Sequence, residues 1–256
     1  SVSGSAAVTF ADYGGDTTNN AFSAADGLTF SASGETDGGL TITSSLVLDN
    51  GVNDDQSLSI GTADMGTVTF HALDGSSALG AVDDVMPNAY EEPWFGVTTP
   101  TKVDGKSGAG MWQYTSASMG GATLTATYLP SLAAVANSQT SIAIAFSPEA
   151  VDGLTVGYAQ QEDDSTAGAA NQVDDTTMYV KYVYGSITAG IQDSEGDSNT
   201  DSADIESLGI GVSYAISDDM SVSCGQHTVE FPNDSTKSDQ ESSAVSASFT
   251  SGGMTI

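Results

Sequence analysis

Along most of the chain an apolar residue alternates with Thr, Ser, Gly or Ala for about seven to ten residues, and the run then breaks at Gly or Asp. Leu40, Ile42, Leu46 and Leu48 stand on one side of such a run, with Thr41, Thr43 and Ser45 mostly on the other. Leu154, Val156 and Tyr158 repeat the pattern, as do Ile187, Ala189 and Ile191, then Leu208, Ile210, Val212 and Tyr214. Strand side chains point to opposite faces with a period of two, so each run is a β-strand with one apolar face and one small, polar face. Fourteen strands follow from the runs, and Met254, Thr255 and Ile256 open a fifteenth.

The connections alternate in length. Glu35 to Gly39, Ala63 to Gly66, Met119 to Gly121, Pro148 to Gly153, Gly185-Ser186, Ser217 to Asp219 and Ser251 to Gly253 read as short reversals. Between them come longer breaks: Asp49 to Gln56, Asp74 to Gly110, Pro130 to Asn137, Asp163 to Asp175, Asp193 to Asp204 and Pro232 to Gln240. Short turns at one rim and long loops at the other suit an antiparallel up-and-down barrel whose rims face different compartments. A Greek-key sandwich has no reason to keep this order. Closed bacterial barrels take an even number of strands, so an odd count predicts sixteen in the complete protein, with C-terminal sequence still to come. At that size the interior is an aqueous channel.

Which face meets water follows from volume. Thr, Ser, Gly, Gln and Ala cannot fill a core as wide as this barrel, so the apolar face turns outward and lipid is its natural partner. Tyr184, Tyr214, Phe146 and Phe249 fall near the short turns, and Tyr128, Tyr158 and Phe70 near the long loops, the placement of two interfacial aromatic girdles. In the run from Thr176 to Gly185, Tyr179, Lys181 and Val183 then face the lumen.

Charge narrows the function. There are 34 acidic residues and 4 basic ones, all Lys, for a formal net charge of -30. Such a chain repels phosphate backbones and attracts cations, which excludes nucleic-acid binding. The acids sit between the strands, at Asp54-Asp55, Asp83-Asp84, Glu162 to Asp164, Asp174-Asp175 and Asp193 to Asp204, and leave strand interiors nearly uncharged. One cysteine, Cys224, permits no disulfide within the chain and reads as a small apolar side chain. No apolar run is long enough for a transmembrane helix and no leader pattern opens the chain, so an exported protein would be represented here in mature form.

The opening Ser3-Gly4-Ser5-Ala6 strand, the hairpin from Leu28-Thr29-Phe30-Ser31-Ala32-Ser33-Gly34 to Thr36-Asp37-Gly38-Gly39-Leu40, and the Met65-Gly66-Thr67-Val68 turn ahead of the longest loop carry a family likeness. The chain resembles the trimeric general diffusion porins of Gram-negative outer membranes, in particular those of alphaproteobacteria. The resemblance implies one barrel domain over 1–256, a homotrimer in contact with outer-membrane lipid and lipopolysaccharide, passive passage of ions and small hydrophilic solutes, and no required cofactor. It also implies that the third long loop, 74–110, folds into the barrel and narrows the pore.

That loop holds Asp83, Asp84, Glu91, Glu92 and Asp104 beside Trp94 and Phe95, and carboxylates at a constriction favour cations. The two aromatics are expected to pack the loop against the barrel wall. Such porins set an arginine cluster opposite the acidic loop, and this chain has no Arg; among strand residues only Lys181 could contribute, while Lys102 and Lys106 could neutralise nearby carboxylates. The pore is therefore expected to be one-signed and cation-attracting.

Asp193, Glu195, Asp197, Asp201 and Asp204 offer hard oxygen ligands at alternating spacing, suited to Ca²⁺ or Mg²⁺, although Ser198 stands where an EF-hand loop needs Gly. Looser cation bridging to lipopolysaccharide is the alternative. No nucleophile motif accompanies His71 or His227, each of which reads as a polar residue near a strand end. Two other classes stay open: a secreted or surface-layer, calcium-dependent adhesin, and a soluble acidic β-sandwich enzyme. The first would carry Gly-Gly-x-Gly-x-Asp repeats, which are not found. The second lacks both a site and an apolar core face.

Overall fold

A computed structural model describes residues 1–11, 21–95, 97, 101–131, 138–164, 173–198 and 203–256. The first five strands are β1 (Val2–Ala11), β2 (Ala21–Glu35), β3 (Thr41–Asp49), β4 (Val52–Thr62) and β5 (Gly66–Leu73). Two short pieces, β6 (Gly75–Ser76) and β7 (Ser107–Gly108), lie within the long loop. Then come β8 (Met111–Thr115), β9 (Ala122–Leu129), β10 (Ser138–Phe146), β11 (Leu154–Asp164), β12 (Val173–Tyr184) and β13 (Ile187–Ser198). The series ends with β14 (Ile205–Ser217), β15 (Met220–Glu230), β16 (Gln240–Ser251) and β17 (Met254–Thr255).

All but β6 and β7 join one 15-stranded antiparallel sheet in sequence order, the topology of an up-and-down β-barrel. The strand count agrees with the sequence, including the two-residue opening of the last strand. Chain-adjacent strands pair because tight turns fix their register. Tyr184 faces Ile187 across Gly185-Ser186, and Ser217 faces Met220 across Asp218-Asp219.

Two expectations are corrected. Asp49 to Gln56 is no long loop: Asp49 pairs with Val52 across Asn50-Gly51, both with positive φ (49° and 77°). Asn-Gly is the dipeptide that tolerates two left-handed residues, so it closes a two-residue hairpin where a run of polar residues suggests a loop. The acids, too, are not confined to connections. Asp54 and Asp55 lie within β4, and Glu162, Asp163, Asp174, Asp175, Asp193, Glu195 and Asp197 lie within β11 to β13, which continue past their apolar stretch.

The faces divide as volume requires. Ile142, Ile144, Tyr158, Met178, Val180, Ile191, Leu208, Ile210 and Val212 are exposed on the outer surface, and between them Gln139, Ser141, Gln161, Thr177, Gln192, Ser194 and Ser207 are buried on the inner one. The girdles are present: Tyr184, Tyr214, Phe146 and Phe249 are exposed at the short-turn rim, with Tyr128 and Tyr158 towards the other. Trp112 joins that second belt between its register partners Phe70 and Tyr128, its ring 4.9 Å from that of Phe70. Cys224 lies on the outer face between Val212 and Val245.

Inside, the long loop lies on the polar face and forms an apolar cluster with it. Its Ala78, Leu79 and Val103 pack with Ala143 and Ala159 of the wall, flanked by Val82 and Ile205.

Candidate functional site, the loop within the barrel

The long loop leaves the sheet after Leu73 and returns at Met111. Its two arms begin as the β6–β7 pair, with Gly75 opposite Gly108, and Ser77 N–H then donates to Lys106 O at 2.8 Å. Just beyond, the arms cross so closely that a Cβ on Gly105 would lie 2.0 Å from Gly80 Cα. Only glycine permits that approach.

From this neck the loop crosses the wall strand by strand, its backbone taken up by inward side chains. Ala78 N–H donates to Thr127 Oγ1 (3.1 Å) and Leu79 N–H to Ser141 Oγ (2.9 Å). Gln161 Oε1 accepts from Ser77 Oγ and Lys106 N–H (2.6 and 3.0 Å), while its amide donates to Asp175 Oδ2 (3.0 Å). Gln192 Oε1 accepts Val85 N–H (3.2 Å), and its Nε2 reaches Val82 O, Asp83 O and Thr177 Oγ1 (3.0, 2.8 and 3.0 Å). Farther along, Ala89 N–H donates to Ser223 Oγ (2.8 Å) and Thr101 N–H to Gln240 Oε1 (2.8 Å). A loop away from bulk water needs such partners for every backbone group.

Between these bonds the loop lies flush on glycines. Gly190, Gly211 and Gly225 share one inner row, in register with one another. A Cβ on Gly190 would come within 2.7 Å of Pro87 Cδ, one on Gly211 within 2.8 Å of Pro87 O, and one on Gly225 within 2.9 Å of Pro93 Cγ. Sequence reasoning missed both this glycine track and the glutamine anchors. The signal was present as Gly alternating with outward Ile and Val in Ile187–Val212.

The predicted site residues separate into groups. Asp83 is folded into the neck, where its Oδ2 accepts Gly105 N–H at 2.7 Å. Burial, chiefly, and the nearby Asp104 push the carboxyl up to about 7, against the lowering effect of the Gly105 bond and Lys102. Lys102 Nζ sits 3.1 Å from Asp104 Oδ1. Burial works against the lysine's charge, but Asp104 and Asp83 outweigh it and hold its pKa above the usual value. Asp84 is exposed beside this cluster and is felt by Glu91 as well. Glu91 is half-buried and raised by burial and by Glu92, whose Oε1 accepts from Asn88 Nδ2 at 2.9 Å. Lys181 is inward, in register with Gly190 and so beside Pro87, and makes no ion pair among the described residues. Lys106 lies close enough to Asp175 to act on its charge.

The aromatics divide. Trp94 packs on the wall, 4.5 Å from the His227 ring with Lys102 Nζ 5.7 Å away over its own face. His227 is thus a buried mid-strand residue rather than a strand-end one. Phe95 does not share that packing; it pairs edge-on with Tyr90 at 5.9 Å and stays exposed.

Three of the acids proposed for a metal lie in a strand rather than a loop. Asp193, Glu195 and Asp197 point outward from successive turns of the pleat of β13, so neighbours stand roughly 6.8 Å apart along the strand. Asp204 is engaged elsewhere, accepting from Ser198 N–H (2.8 Å) and Asn233 Nδ2 (2.7 Å), and Asp201 lies outside the described residues. No group of three or more His, Cys, Asp or Glu among the described residues is arranged to hold an ion.

The strands thus carry apolar residues outward and polar residues inward, with a long loop folded onto the inner face. The sequence profile described as Gram-negative porin matches residues 1–255. The chain belongs to the Gram-negative porin family. Solved porins share its fold at low identity. A porin refined at 1.8 Å resolution is 18% identical, with a TM-score of 0.54 over 97% of this chain and 99% of its own. A triple mutant of the Rhodopseudomonas blastica porin is also 18% identical, with a TM-score of 0.53 over 96% and 98%. OmpT, an outer membrane protein of Vibrio cholerae, is 11% identical, with a TM-score of 0.65 over 97% and 80%. No curated protein matches the sequence. This porin is therefore an outer-membrane β-barrel, and family membership overturns the adhesin and soluble-enzyme readings.

Proposed function

We propose that this porin is a passive channel for ions and small hydrophilic solutes that favours cations, and that it catalyses no reaction. The observation that carries the cation preference is where charge sits in the lumen. The loop brings Asp83, Asp84, Glu91, Glu92 and Asp104 into the barrel. The inner faces of β1 to β4, which the loop does not touch through any described bond, carry Ser and Thr at positions such as Thr29, Ser31, Thr43, Ser45, Ser57 and Ser59, and no Lys or Arg. With no Lys or Arg on those facing strands, only inward Lys181 opposes the carboxylates from the wall, and the net field at the loop is negative. Low-dielectric walls strengthen it, so a cation gains and an anion loses on entry. Lys102 and Lys106, set against Asp104 and Asp175, reduce that charge without reversing it.

Reversal potentials in a planar bilayer under a KCl gradient test this reading. The expected sign is potassium over chloride, and potentials favouring chloride would overturn it. Arginines at the cross-strand pair Ser45 and Ser57 (S45R, S57R) should lower the preference severalfold by supplying the absent cations.

The resemblance further supports a homotrimer with lipid and lipopolysaccharide around it. On the outer face, Glu195, Glu206 and Glu230 are lateral neighbours in one row, and Asp174 faces Asp197 in the next. These carboxylates stand above the apolar belt, where Ca²⁺ or Mg²⁺ would bridge them to anionic lipid headgroups. Binding of ⁴⁵Ca²⁺ to reconstituted protein, with and without lipopolysaccharide, separates bridging from a site in the protein itself.

A further inference from the structure

We infer that Asp175 is a positioning residue of this channel: by fixing the side-chain amide of Gln161, it makes one oxygen staple both arms of the loop's neck to the wall. This goes beyond ion preference to what holds the loop inside the barrel, and it rests on the passive-channel reading alone.

The two arms meet at a single atom. Ser77 Oγ, on the outgoing arm, and Lys106 N–H, on the returning one, both donate to Gln161 Oε1, at 2.6 and 3.0 Å. Ser77 Oγ in turn accepts Gly80 N–H at 3.1 Å, so the chain of bonds starts at the Gly80–Gly105 crossing itself. It ends on β12, where Gln161 Nε2 donates to Asp175 Oδ2 at 3.0 Å. From Gly80 to Gln161 every donor points toward the carboxylate, and hydrogen bonds aligned in this way strengthen one another away from bulk water. Gln161 and Ser77 are 0% and 1% exposed and Asp175 is 4% exposed, so the whole chain is buried. Asp175 stands in register between Gln161 and Gly196. A Cβ on Gly196 would lie 3.0 Å from Asp175 Oδ1, so the glycine leaves the carboxylate its room.

Chemistry decides which way the Gln161 amide faces. A backbone N–H can only donate, so Lys106 requires the oxygen; a carboxylate can only accept, so Asp175 requires the nitrogen. One orientation meets both demands. Without an acceptor-only group behind it the amide is free to turn, and the turned form sets Nε2 against Lys106 N–H, donor against donor, leaving buried groups unpaired. Gln192, a second amide anchor, needs no such partner. Its Oε1 takes Val85 N–H and its Nε2 takes Val82 O and Asp83 O, so the loop itself sets its direction. That of Gln161 is set from the wall. Lys106 is tied to Asp175 twice, by its N–H through Gln161 and by its side-chain charge through space.

Exchanging the two functional groups tests the staple. Gln161→Glu and Asp175→Asn each keep the size of the side chain, and the double variant keeps the net charge as well. In it the carboxylate moved to position 161 can accept from Ser77, from Lys106 N–H and from the amide moved to position 175, so every bond is restored. Trypsin cleavage after Lys106 in detergent-folded protein at neutral pH reads the neck, and single-channel currents in planar bilayers read the pore. Q161E sets two carboxylates against each other and D175N releases the amide. Each alone should speed cleavage by about tenfold, the effect of losing roughly one buried hydrogen bond, with larger and noisier currents. Q161E/D175N should be cleaved more slowly than either single variant, to within about threefold of wild type, whereas independent losses would add. Its currents should return to those of the wild type. Cleavage of D175N at the wild-type rate, or a double variant that is not slower than each single one, would overturn the staple. Should Q161E alone fail to fold, recovery of folded protein in the double variant is the same rescue, and failure to recover it the same refutation. Wild-type protein that conducts nothing but keeps this order of cleavage would sink the passive-channel reading and leave the staple standing.

Discussion

The two sides of this barrel are built from the same two-faced strands and differ in what their inner faces do. Where the loop lies on β9 to β16 the inward residues are buried: Gln161 is fully covered, and Thr177, Gln192 and Ser141 nearly so. On β1 to β4 the inward Ser and Thr are exposed or half-exposed and line open space. The braced side replaces some of these hydroxyls with Gly and Gln. Glycine admits the loop backbone at contact distance, and glutamine has both a donor and an acceptor to offer its amides. The difference teaches that a polar inner face can serve as a packing surface or as a channel wall, and that residue type distinguishes the two.

Truncating the loop's own anchor gives the largest effect. Leu79 is completely buried among Ala78, Val103, Ala143 and Ala159, and Leu79→Ala should weaken loop docking by about 2 to 5 kcal/mol. Trypsin cleavage after Lys102 and Lys106 in detergent-folded protein reads this, and an unchanged cleavage rate would show that apolar packing does not hold the loop. The equivalent truncation on the open side touches no loop and should leave cleavage unaltered.

Gln192→Leu comes next. It strips partners from Val82 O, Asp83 O and Val85 N–H at once, and each orphaned group costs about 1 to 3 kcal/mol unless water enters. Hydrogen exchange at the Val85 amide should accelerate by at least tenfold, with noisier and larger single-channel currents. Thr43→Val on the open side should alter stability by less than about 0.5 kcal/mol. Similar losses from both changes would erase the distinction between the walls.

The smallest effect is pH. A carboxyl whose folded pKa lies above its free value binds its proton more tightly when docked, so Asp83 stabilises docking fully below about 3.8 and ceases to do so as pH rises through about 7. Lys102 acts in the same direction at alkaline pH, since its raised pKa favours the docked loop until the lysine deprotonates. Loop amide exchange, corrected for its intrinsic pH dependence, should show docking weakening between pH 4 and 8. Docking that strengthens over this range would mean that Asp83 is not buried as the neck geometry requires.

Much of this was legible beforehand, and the failures have physical causes. Alternation assigned Lys181 and Tyr179 to the lumen, and both lie there, Tyr179 folded over Gly157. The acids of β13 were misread as a loop because Asp disfavours strands in isolation, whereas pairing of Glu195 with Thr176 and Glu206 overrides that preference. Asn50-Gly51 was absorbed into a polar run although its dipeptide specifies a tight turn. Phe95 was expected on the wall with Trp94, but neighbours in an irregular loop need not share a direction.

The sequence by itself determined the strands, their order, the outward turn of the apolar residues and the acidity of the inward loop. Period, turn chemistry and side-chain volume are local properties, and each can be read from a few consecutive residues. Only the tertiary structure decided which wall the loop would lie on and which acids would be buried. Those outcomes depend on contacts such as Ser77 to Gln161 and Val85 to Gln192, between residues 84 and 107 positions apart. A carboxylate such as Asp83 looks no different in sequence from its exposed neighbour Asp84. Burial in the neck separates them, and burial belongs to the fold.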